Sequence, residues 1–221
     1  MDTIRLGLIS DTHFPTKMPL LPYEAIENAF REVDGILHAG DIESSEVLEH
    51  LSGIAPTQAV KGEHDNFALP EKRILTFGDV RVGLVHGNRH PLTESYFRLQ
   101  RRLGNLYAGG RHLLNTIPER FADDNVDVIV FGHLHTPLAI ERDGVLLVNP
   151  GAVYSITRDS AQWQLLNEHD PERRHMLETH IKRYNDNPHW QNPRSTIGIL
   201  EIKPDKTVRS YIHELPLLAY A

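Results

Sequence analysis

The sequence contains no cysteine, and this absence removes several kinds of chemistry. Its 221 residues can form no disulfide, thiolate metal site or iron–sulfur cluster, and a cysteine nucleophile is excluded. Basic residues are in the minority, because 23 lysines and arginines stand against 30 acidic residues and give a formal net charge of −7. This balance argues against a protein built to coat nucleic acid, whose surface carries a basic field.

Long hydrophobic runs are also missing. The longest apolar runs, such as residues 126–131, are far shorter than the roughly 20 residues that span a bilayer. The first residues enter a strand-like run at once, without the basic segment and long apolar segment of a secretory signal. We therefore expect a cytoplasmic protein with no membrane partner.

Histidine, by contrast, is abundant, with 14 residues. It is the commonest metal ligand in proteins and the usual acid–base group near neutral pH. The length fits one compact domain. The positions of the histidines therefore decide whether their number has a functional meaning.

Strand-like and helical patterns alternate over the first 61 residues. Residues 4–10, 34–39 and 56–61 read as buried strands, and residues 22–32 and 44–52 have helical spacing. This β-α-β-α-β order predicts parallel strands joined by right-handed crossovers.

The rest of the chain is richer in hairpins and polar helices. Turn signals at residues 78–79, 143–144 and 204–205 predict hairpins. Residues 93–114 read as mostly helical with a break near Gly109, and residues 160–184 as one or two helices broken or bent at Pro171. We expect two layers of strands with helices outside them.

Ligand-type side chains follow five of the predicted strands directly. They are Asp11, His13, Asp41, Glu63, His64, Asp65, His86, His133 and His135. Ligands of open α/β sheets lie outside the carboxyl ends of strands, so these fragments can converge at one edge. Mixed Asp/His sets suit zinc, manganese, iron or nickel. The set exceeds what one ion takes and predicts two ions ~3.5–4 Å apart, bridged by one carboxylate.

The motifs SDTH (10–13), GD (40–41), GEHD (62–65), HG (86–87) and GHLH (132–135) resemble those of the calcineurin-like metallophosphoesterases. Their spacing looks closest to the small prokaryotic phosphodiesterase branch. The resemblance covers residues 1–152 and the last hairpin. It implies an α/β fold, a four-layer αββα sandwich of two mixed β-sheets flanked by helices.

The resemblance also implies a metal-ligand set. Asp11, His13 and His135 would hold one divalent ion, Asp41 would bridge, and the second ion would be held by His86, His133 and Glu63. Manganese is the expected metal, with iron, zinc or nickel as alternatives. Glu63 departs from the family, which has asparagine there. We expect this longer, charged side chain either to ligate the second ion or to withdraw and weaken it.

His64 matches the family histidine that contacts phosphate and can protonate the leaving oxygen. Asp65 either orients the His64 imidazole as a further catalytic residue or caps a turn. The implied mechanism is in-line attack on phosphorus by a hydroxide that two metals activate, with His64 as general acid. Ile42 follows the GD motif where the Ser/Thr protein phosphatases have aspartate. This difference argues against a protein-phosphatase function.

The expected function is hydrolysis of a small or nucleotide-like phosphodiester by one metallophosphoesterase domain over residues 1–221. Helical insertions at about 88–115 and 155–193 carry basic residues that either line the substrate entrance or are solvated. His90 and Arg158 are the substrate-binding candidates there. The alternatives are a non-catalytic interaction scaffold on the same fold, or a phosphomonoesterase or nuclease with the same metals. Binding to a nucleic-acid polymer is not expected, and a homo-oligomer is left open.

Overall fold

Two five-stranded sheets form the framework of the protein. The computed structural model describes residues 2–102, 108–155, 158–166, 168–186 and 194–216. The strands in chain order are β1 (Ile4–Ile9), β2 (Gly35–His38), β3 (Thr57–Ala59), β4 (Lys72–Phe77), β5 (Val80–Val85), β6 (Val128–Phe131), β7 (Leu138–Arg142), β8 (Val145–Asn149), β9 (Thr196–Ile202) and β10 (Val208–Glu214). The helices are α1 (Tyr23–Phe30), α2 (Ser45–Ile54), α3 (Pro91–Arg102), α4 (Ala108–Thr116), α5 (Arg158–Leu165) and α6 (Pro171–Asp186), with a 3₁₀ helix at Pro118–Phe121.

The first sheet has the strand order β10-β9-β1-β2-β3. Strands β1, β2 and β3 are parallel, with Leu8 opposite Leu37 in the β1–β2 pair. Helices α1 and α2 connect them, so the prediction of parallel strands from the β-α-β-α-β order is confirmed. The last hairpin, β9 and β10, completes this sheet by antiparallel pairing of β9 with β1.

The second sheet has the order β4-β5-β6-β8-β7. Its three central strands β5, β6 and β8 are parallel, and the predicted hairpins β4–β5 and β7–β8 add an antiparallel strand at each edge. Both sheets are therefore mixed. In each sheet the parallel strands end on the same side, where the loops that carry the predicted ligands begin.

The buried apolar side chains form three clusters, one between the two sheets and one on the outer face of each sheet. The inner faces of the two sheets pack against each other through Leu6, Leu8, Leu37, Val82, Leu84, Val128 and Val130. Residues on the outer face of the first sheet, such as Ile9, pack with α1 and α2. On the outer face of the second sheet, Ile129 and Phe131 pack with Leu113 of α4 and with Phe121. The order helix, sheet, sheet, helix confirms the predicted four-layer sandwich.

The helical stretch predicted over residues 93–114 is divided between α3 and α4. Residues 103–107, between the two helices, lie outside the described residues, and Gly109 and Gly110, near which a break was predicted, lie in the first turn of α4. The backbone N–H groups of a first turn have no partner within the helix, so glycine there disturbs few helical hydrogen bonds. The predicted break at Pro171 is confirmed, since α6 begins at that proline. None of the helices in the described parts of the chain is long and apolar enough to cross a membrane.

Candidate metal centre

The loops that follow β1, β2, β3, β5 and β6 meet at one cleft of about 580 Å³. Its walls include most of the side chains that the sequence singled out, namely His13, Asp41, Glu63, His64, His133 and His135. Asp11 and His86 lie beneath this surface and are fully buried. The fold therefore brings all seven predicted metal ligands to one place.

Unusual backbone conformations position these ligands. Five of the seven have a positive φ, between 48° and 69°: Asp11, His13, Asp41, His133 and His135. Residues other than glycine rarely adopt this left-handed region, and such residues gather at functional sites, where surrounding contacts hold them. Here backbone hydrogen bonds join the first two loops, because Asp11 N donates to Gly40 O and His13 N to Asp41 O, both at 3.0 Å.

Two glycines allow the loops to approach each other this closely. A Cβ atom on Gly62 would lie 2.2 Å from the Asp41 backbone nitrogen, and one on Gly132 would lie 2.0 Å from Ser10 Oγ. Neither position can accept a side chain without moving a neighbouring loop. The glycines of the GEHD and GHLH motifs thus serve loop packing, while the residues beside them supply the ligand atoms.

The first group of ligand atoms comes from the β1 and β6 loops. His135 Nε2 lies 3.1 Å from Asp11 Oδ1 and 3.4 Å from His13 Nε2. One ligand atom from each of these three residues falls within 4.8 Å of the others. This is the set that the family resemblance assigned to the first ion.

Asp41 lies between this group and the second one. Its Oδ2 atom is 3.5 Å from His13 Nε2 and 3.4 Å from His86 Nε2. Its other oxygen, Oδ1, accepts a hydrogen bond from the His64 backbone nitrogen at 3.0 Å. One carboxylate oxygen therefore faces histidines of both predicted metal sites, which is compatible with a bridging role for Asp41.

Among the described residues, two buried atoms of this cluster have contacts but no hydrogen bond of good geometry: Asp11 Oδ1, 3.1 Å from His135 Nε2, and His86 Nε2, 3.4 Å from Asp41 Oδ2. Buried polar atoms are nearly always hydrogen-bonded, so such atoms call for an explanation. His86 Nδ1 donates to Ala39 O at 2.7 Å, so Nε2 is the ring nitrogen that faces the cluster. A set of imidazole nitrogens and carboxylate oxygens suits divalent cations. The residues present fit the metal centre that the motifs imply.

The electrostatics of the cluster also favour a cation. Burial alone would lower the pKa of His86, but the Asp41 and Asp11 carboxylates raise the pKa of His86 to about 9. Burial alone would raise the pKa of Asp11 and of Asp41, but the surrounding histidines lower both pKa values below the usual range. Negative charge near an imidazole favours its charged form, and the same negative field favours a bound metal ion.

A second group of ligand atoms is formed by Glu63, Glu94 and His133. Glu63 Oε2 lies 3.8 Å from His133 Nδ1, and its side chain is 38% exposed. Glu94 Oε1 lies 2.9 Å from His133 Nε2. Sequence reasoning missed Glu94, because it lies on α3 within a helical pattern and belongs to none of the motifs.

The cleft also contains a positively charged side chain, Lys17, that the sequence analysis missed. Lys17 Nζ lies 3.2 Å from His13 Nε2 and 3.4 Å from His64 Nε2. Burial lowers the pKa of Lys17. The only sequence signal was a lysine four residues after His13. The His64 side chain itself is 41% exposed on the cleft wall.

Asp65 does not orient His64, which was one of its two expected roles. Its two oxygens accept four backbone hydrogen bonds at 2.7–3.1 Å, from the N–H groups of Asp41, Ile42, Glu43 and Gly62. This is the turn-capping alternative in an extended form. The carboxylate points away from His64 because four N–H groups of two loops converge on it.

The two substrate-binding candidates from the helical segments lie elsewhere. His90 is exposed at the start of α3, where its Nδ1 accepts a hydrogen bond from Leu92 N at 3.3 Å. Arg158 is exposed at the start of α5. Neither is among the described residues that line the cleft, so the structure does not bring them together with the predicted metal ligands. His90 follows the β5 loop closely in sequence, but the helix it starts turns it outward.

Comparison with known proteins agrees with these observations. The sequence model of the calcineurin-like phosphoesterase superfamily domain matches residues 4–169. A probable metallophosphoesterase from Methanothermobacter thermautotrophicus is 35% identical over 150 residues, which cover 66% of this chain and 76% of that protein. A second one, from Methanocaldococcus jannaschii, is 36% identical over 151 residues, 68% of each chain.

Solved structures share the fold over nearly the whole chain. Vacuolar protein sorting 29 from Cryptosporidium parvum has a TM-score of 0.56 at 18% identity, covering 97% of this chain and 99% of that one. A structure described as a novel archaeal phosphodiesterase has a TM-score of 0.53 at 18% identity, covering 95% and 100%. With the family model, the related sequences and the ligand cluster in agreement, this chain belongs to the calcineurin-like phosphoesterase superfamily.

Proposed function

We propose that this protein is a phosphodiesterase that hydrolyses a small or nucleotide-like phosphoric ester with the help of two divalent cations, manganese first among them. One observation carries the proposal: seven side chains that can ligate a cation come from five loops and converge around two buried atoms, Asp11 Oδ1 and His86 Nε2, that make no hydrogen bond of good geometry. An interaction scaffold would not need these atoms, because a buried polar atom without a partner costs stability.

The residues divide between two cations. Asp11, His13 and His135 would hold the first. His86, His133 and Glu63 would hold the second, and Asp41 would contact both. When bound, such cations supply Lewis acidity toward phosphoryl oxygens and lower the pKa of water.

His64 is placed to move a proton. Its backbone N–H donates to Asp41 Oδ1 at 3.0 Å, so the residue is anchored to the centre while its imidazole remains in the cleft. In the proposed reaction the imidazolium donates its proton to the oxygen that leaves phosphorus. Lys17, 3.4 Å from His64 Nε2, adds positive charge where the anionic phosphate would bind.

The size of the cleft supports a small substrate. Its volume of about 580 Å³ lies within the range of roughly 300–1,000 Å³ of small-molecule sites. The archaeal phosphodiesterase with the same fold is a reason to test diesters first. The net charge of −7 weighs against a nuclease that follows a long polymer.

The test compares two chromogenic esters. Protein stripped with a chelator is assayed on bis-p-nitrophenyl phosphate and on p-nitrophenyl phosphate, before and after addition of Mn²⁺. We expect manganese to restore hydrolysis, with the diester cleaved faster. A faster monoester would indicate a phosphomonoesterase, and binding of metal without hydrolysis of either ester would favour the scaffold. A short single-stranded oligonucleotide in the same assay reports nuclease activity.

A further inference from the structure

Three histidines of the centre share one arrangement. In each ring, one nitrogen contacts an oxygen of the protein and the other nitrogen faces a different part of the ligand cluster. For His86 this oxygen is the neutral carbonyl of Ala39, at 2.7 Å from Nδ1. For His13 and His133 the oxygens belong to carboxylates, those of Glu43 and Glu94. Neither carboxylate is among the seven proposed ligands, although Glu94 lies within reach of a cation shared with Glu63 and His133.

The backbone of Glu43 has an energetically unfavourable conformation. Its φ of 72° lies in the left-handed region that favours glycine. The residue keeps this conformation while its N–H donates to Asp65 Oδ1 at 2.7 Å. Its side chain is only 7% exposed, and Oε1 lies 2.6 Å from His13 Nδ1. An ionised carboxylate can only accept, so the proton of this bond lies on Nδ1 and the Nε2 lone pair faces Asp41 and His135.

Glu94 is held by an arginine. Arg89 Nε donates to Glu94 Oε1 at 2.7 Å, and a second guanidinium nitrogen donates to Oε2 at 3.0 Å. The same guanidinium donates to Gly109 O of α4 at 2.6 Å, so the carboxylate is fixed between two helices. Both its oxygens are engaged, and Oε1 also lies 2.9 Å from His133 Nε2. The free nitrogen of His133 is then Nδ1, on the side of Glu63.

We propose that Glu43 and Glu94 are positioning residues, each accepting the N–H of one metal-binding histidine so that its other nitrogen faces the cation. Glu43 acts on His13 and Glu94 acts on His133. A carboxylate behind a ligating imidazole fixes its tautomer and orientation and increases its basicity. Helix α3 thereby contributes to the second metal site without supplying a ligand. The inference rests on the proposed function, because it assumes that the two histidines bind metal.

The experiment measures metal affinity and ring tautomer separately. Glu43→Ala, Glu43→Gln, Glu94→Ala and Glu94→Gln are compared with wild type and with Glu46→Ala, a control at an exposed glutamate of α2. Calorimetric titration of the metal-free proteins with Zn²⁺ gives affinity and stoichiometry. Two-bond ¹⁵N–¹H correlation spectra of the metal-free proteins give the tautomer of each histidine. Thermal unfolding shows that each variant is folded.

We expect each alanine variant to lose about 10–100-fold in Zn²⁺ affinity with no change in stoichiometry. Its own histidine, and no other, should lose its single tautomer. The glutamine variants should lose less affinity, because the amide oxygen still accepts the hydrogen bond without the charge. They also preserve the test if an alanine variant fails to fold.

Affinity and tautomers like those of Glu46→Ala would overturn the proposal. Loss of one bound ion in Glu94→Ala would overturn it for Glu94 and make that residue a ligand. Wild-type protein that takes up no cation would contradict the proposed function instead. The tautomers of the metal-free proteins would still decide whether Glu43 and Glu94 hold the two rings.

Discussion

Asp65 holds the backbone of Asp41, because its Oδ2 atom accepts the Asp41 N–H at 3.1 Å. Three further N–H groups, from Ile42, Glu43 and Gly62, donate to the same carboxylate. The side chain of Asp65 thus links the β2 and β3 loops through hydrogen bonds. Asp41 has a strained backbone conformation, and these hydrogen bonds help to hold it.

Asp65→Ala should therefore destabilise the whole domain. It leaves four N–H groups without their acceptor, and each buried unpaired group costs about 1–3 kcal/mol. We expect a loss of at least about 3 kcal/mol in the free energy of unfolding, because water can satisfy some of these groups. Urea unfolding of the metal-free protein measures it. His64→Ala, at the neighbouring exposed position, is the matched control and should lose far less; equal losses would contradict the role of Asp65.

Metal should stabilise the protein, because the ligands are assembled only in the folded state. A free cation at 100 times its dissociation constant adds about 2.7 kcal/mol per site to the free energy of unfolding. We expect the melting temperature of chelated protein to rise when Mn²⁺ or Zn²⁺ is added. Asp41→Asn should reduce the rise more than loss of any other single ligand, since Asp41 faces both groups. A melting temperature that does not change when either metal is added would contradict the proposed metal centre.

Glu63→Asn tests the position at which the family resemblance leads us to expect asparagine. Glu63 Oε2 lies 3.8 Å from His133 Nδ1, close enough to share a cation after a small movement. We expect the variant to change metal content or preference at the second site, measured by elemental analysis after dialysis against Mn²⁺, Fe²⁺ and Zn²⁺. Unchanged metal content and an unchanged hydrolytic rate would show that Glu63 matters for neither.

His64→Ala should retain metal and lose turnover. The imidazole lies in the cleft and is not one of the seven proposed ligands, so calorimetric metal titrations should match wild type. Removing a general acid costs about 10²–10⁴-fold in rate. The loss should grow with the pKa of the leaving alcohol across a series of aryl phosphodiesters. A loss of the same size for good and poor leaving groups would rule out the acid role.

Lys17→Gln should weaken binding of the anionic substrate. A hydrogen bond that involves a charged group is worth about 1.5–3 kcal/mol, or roughly 10–100-fold in affinity. We expect a higher KM for the diester and weaker competitive inhibition by inorganic phosphate. The control is Lys206→Gln, at an exposed lysine next to Asp79 and outside the cleft. An unchanged inhibition constant for phosphate would remove Lys17 from the substrate site.

The ligand set could be predicted because each ligand follows a strand. Short apolar runs identify strands, and parallel strands end at one edge, so Asp11, Asp41 and His133 could be placed together before any coordinates were known. The β-α-β-α-β order gave the parallel half of the first sheet for the same reason. These inferences use only local patterns and one general rule of topology.

The sequence by itself therefore determined two layers of strands and a set of ligand-type residues at strand ends, because both depend on local patterns, and the resemblance of the motifs to a known family selected seven of those residues as metal ligands. Only the tertiary structure decided what lies around them: Glu94 reaches His133 from a helix, Lys17 reaches His64 from another loop, and Asp65 turns toward backbone amides. Such contacts depend on the direction of a side chain and on distance in space between remote segments. The periodicity and spacing of residues along the chain contain no information about side-chain direction or about the distance between remote segments.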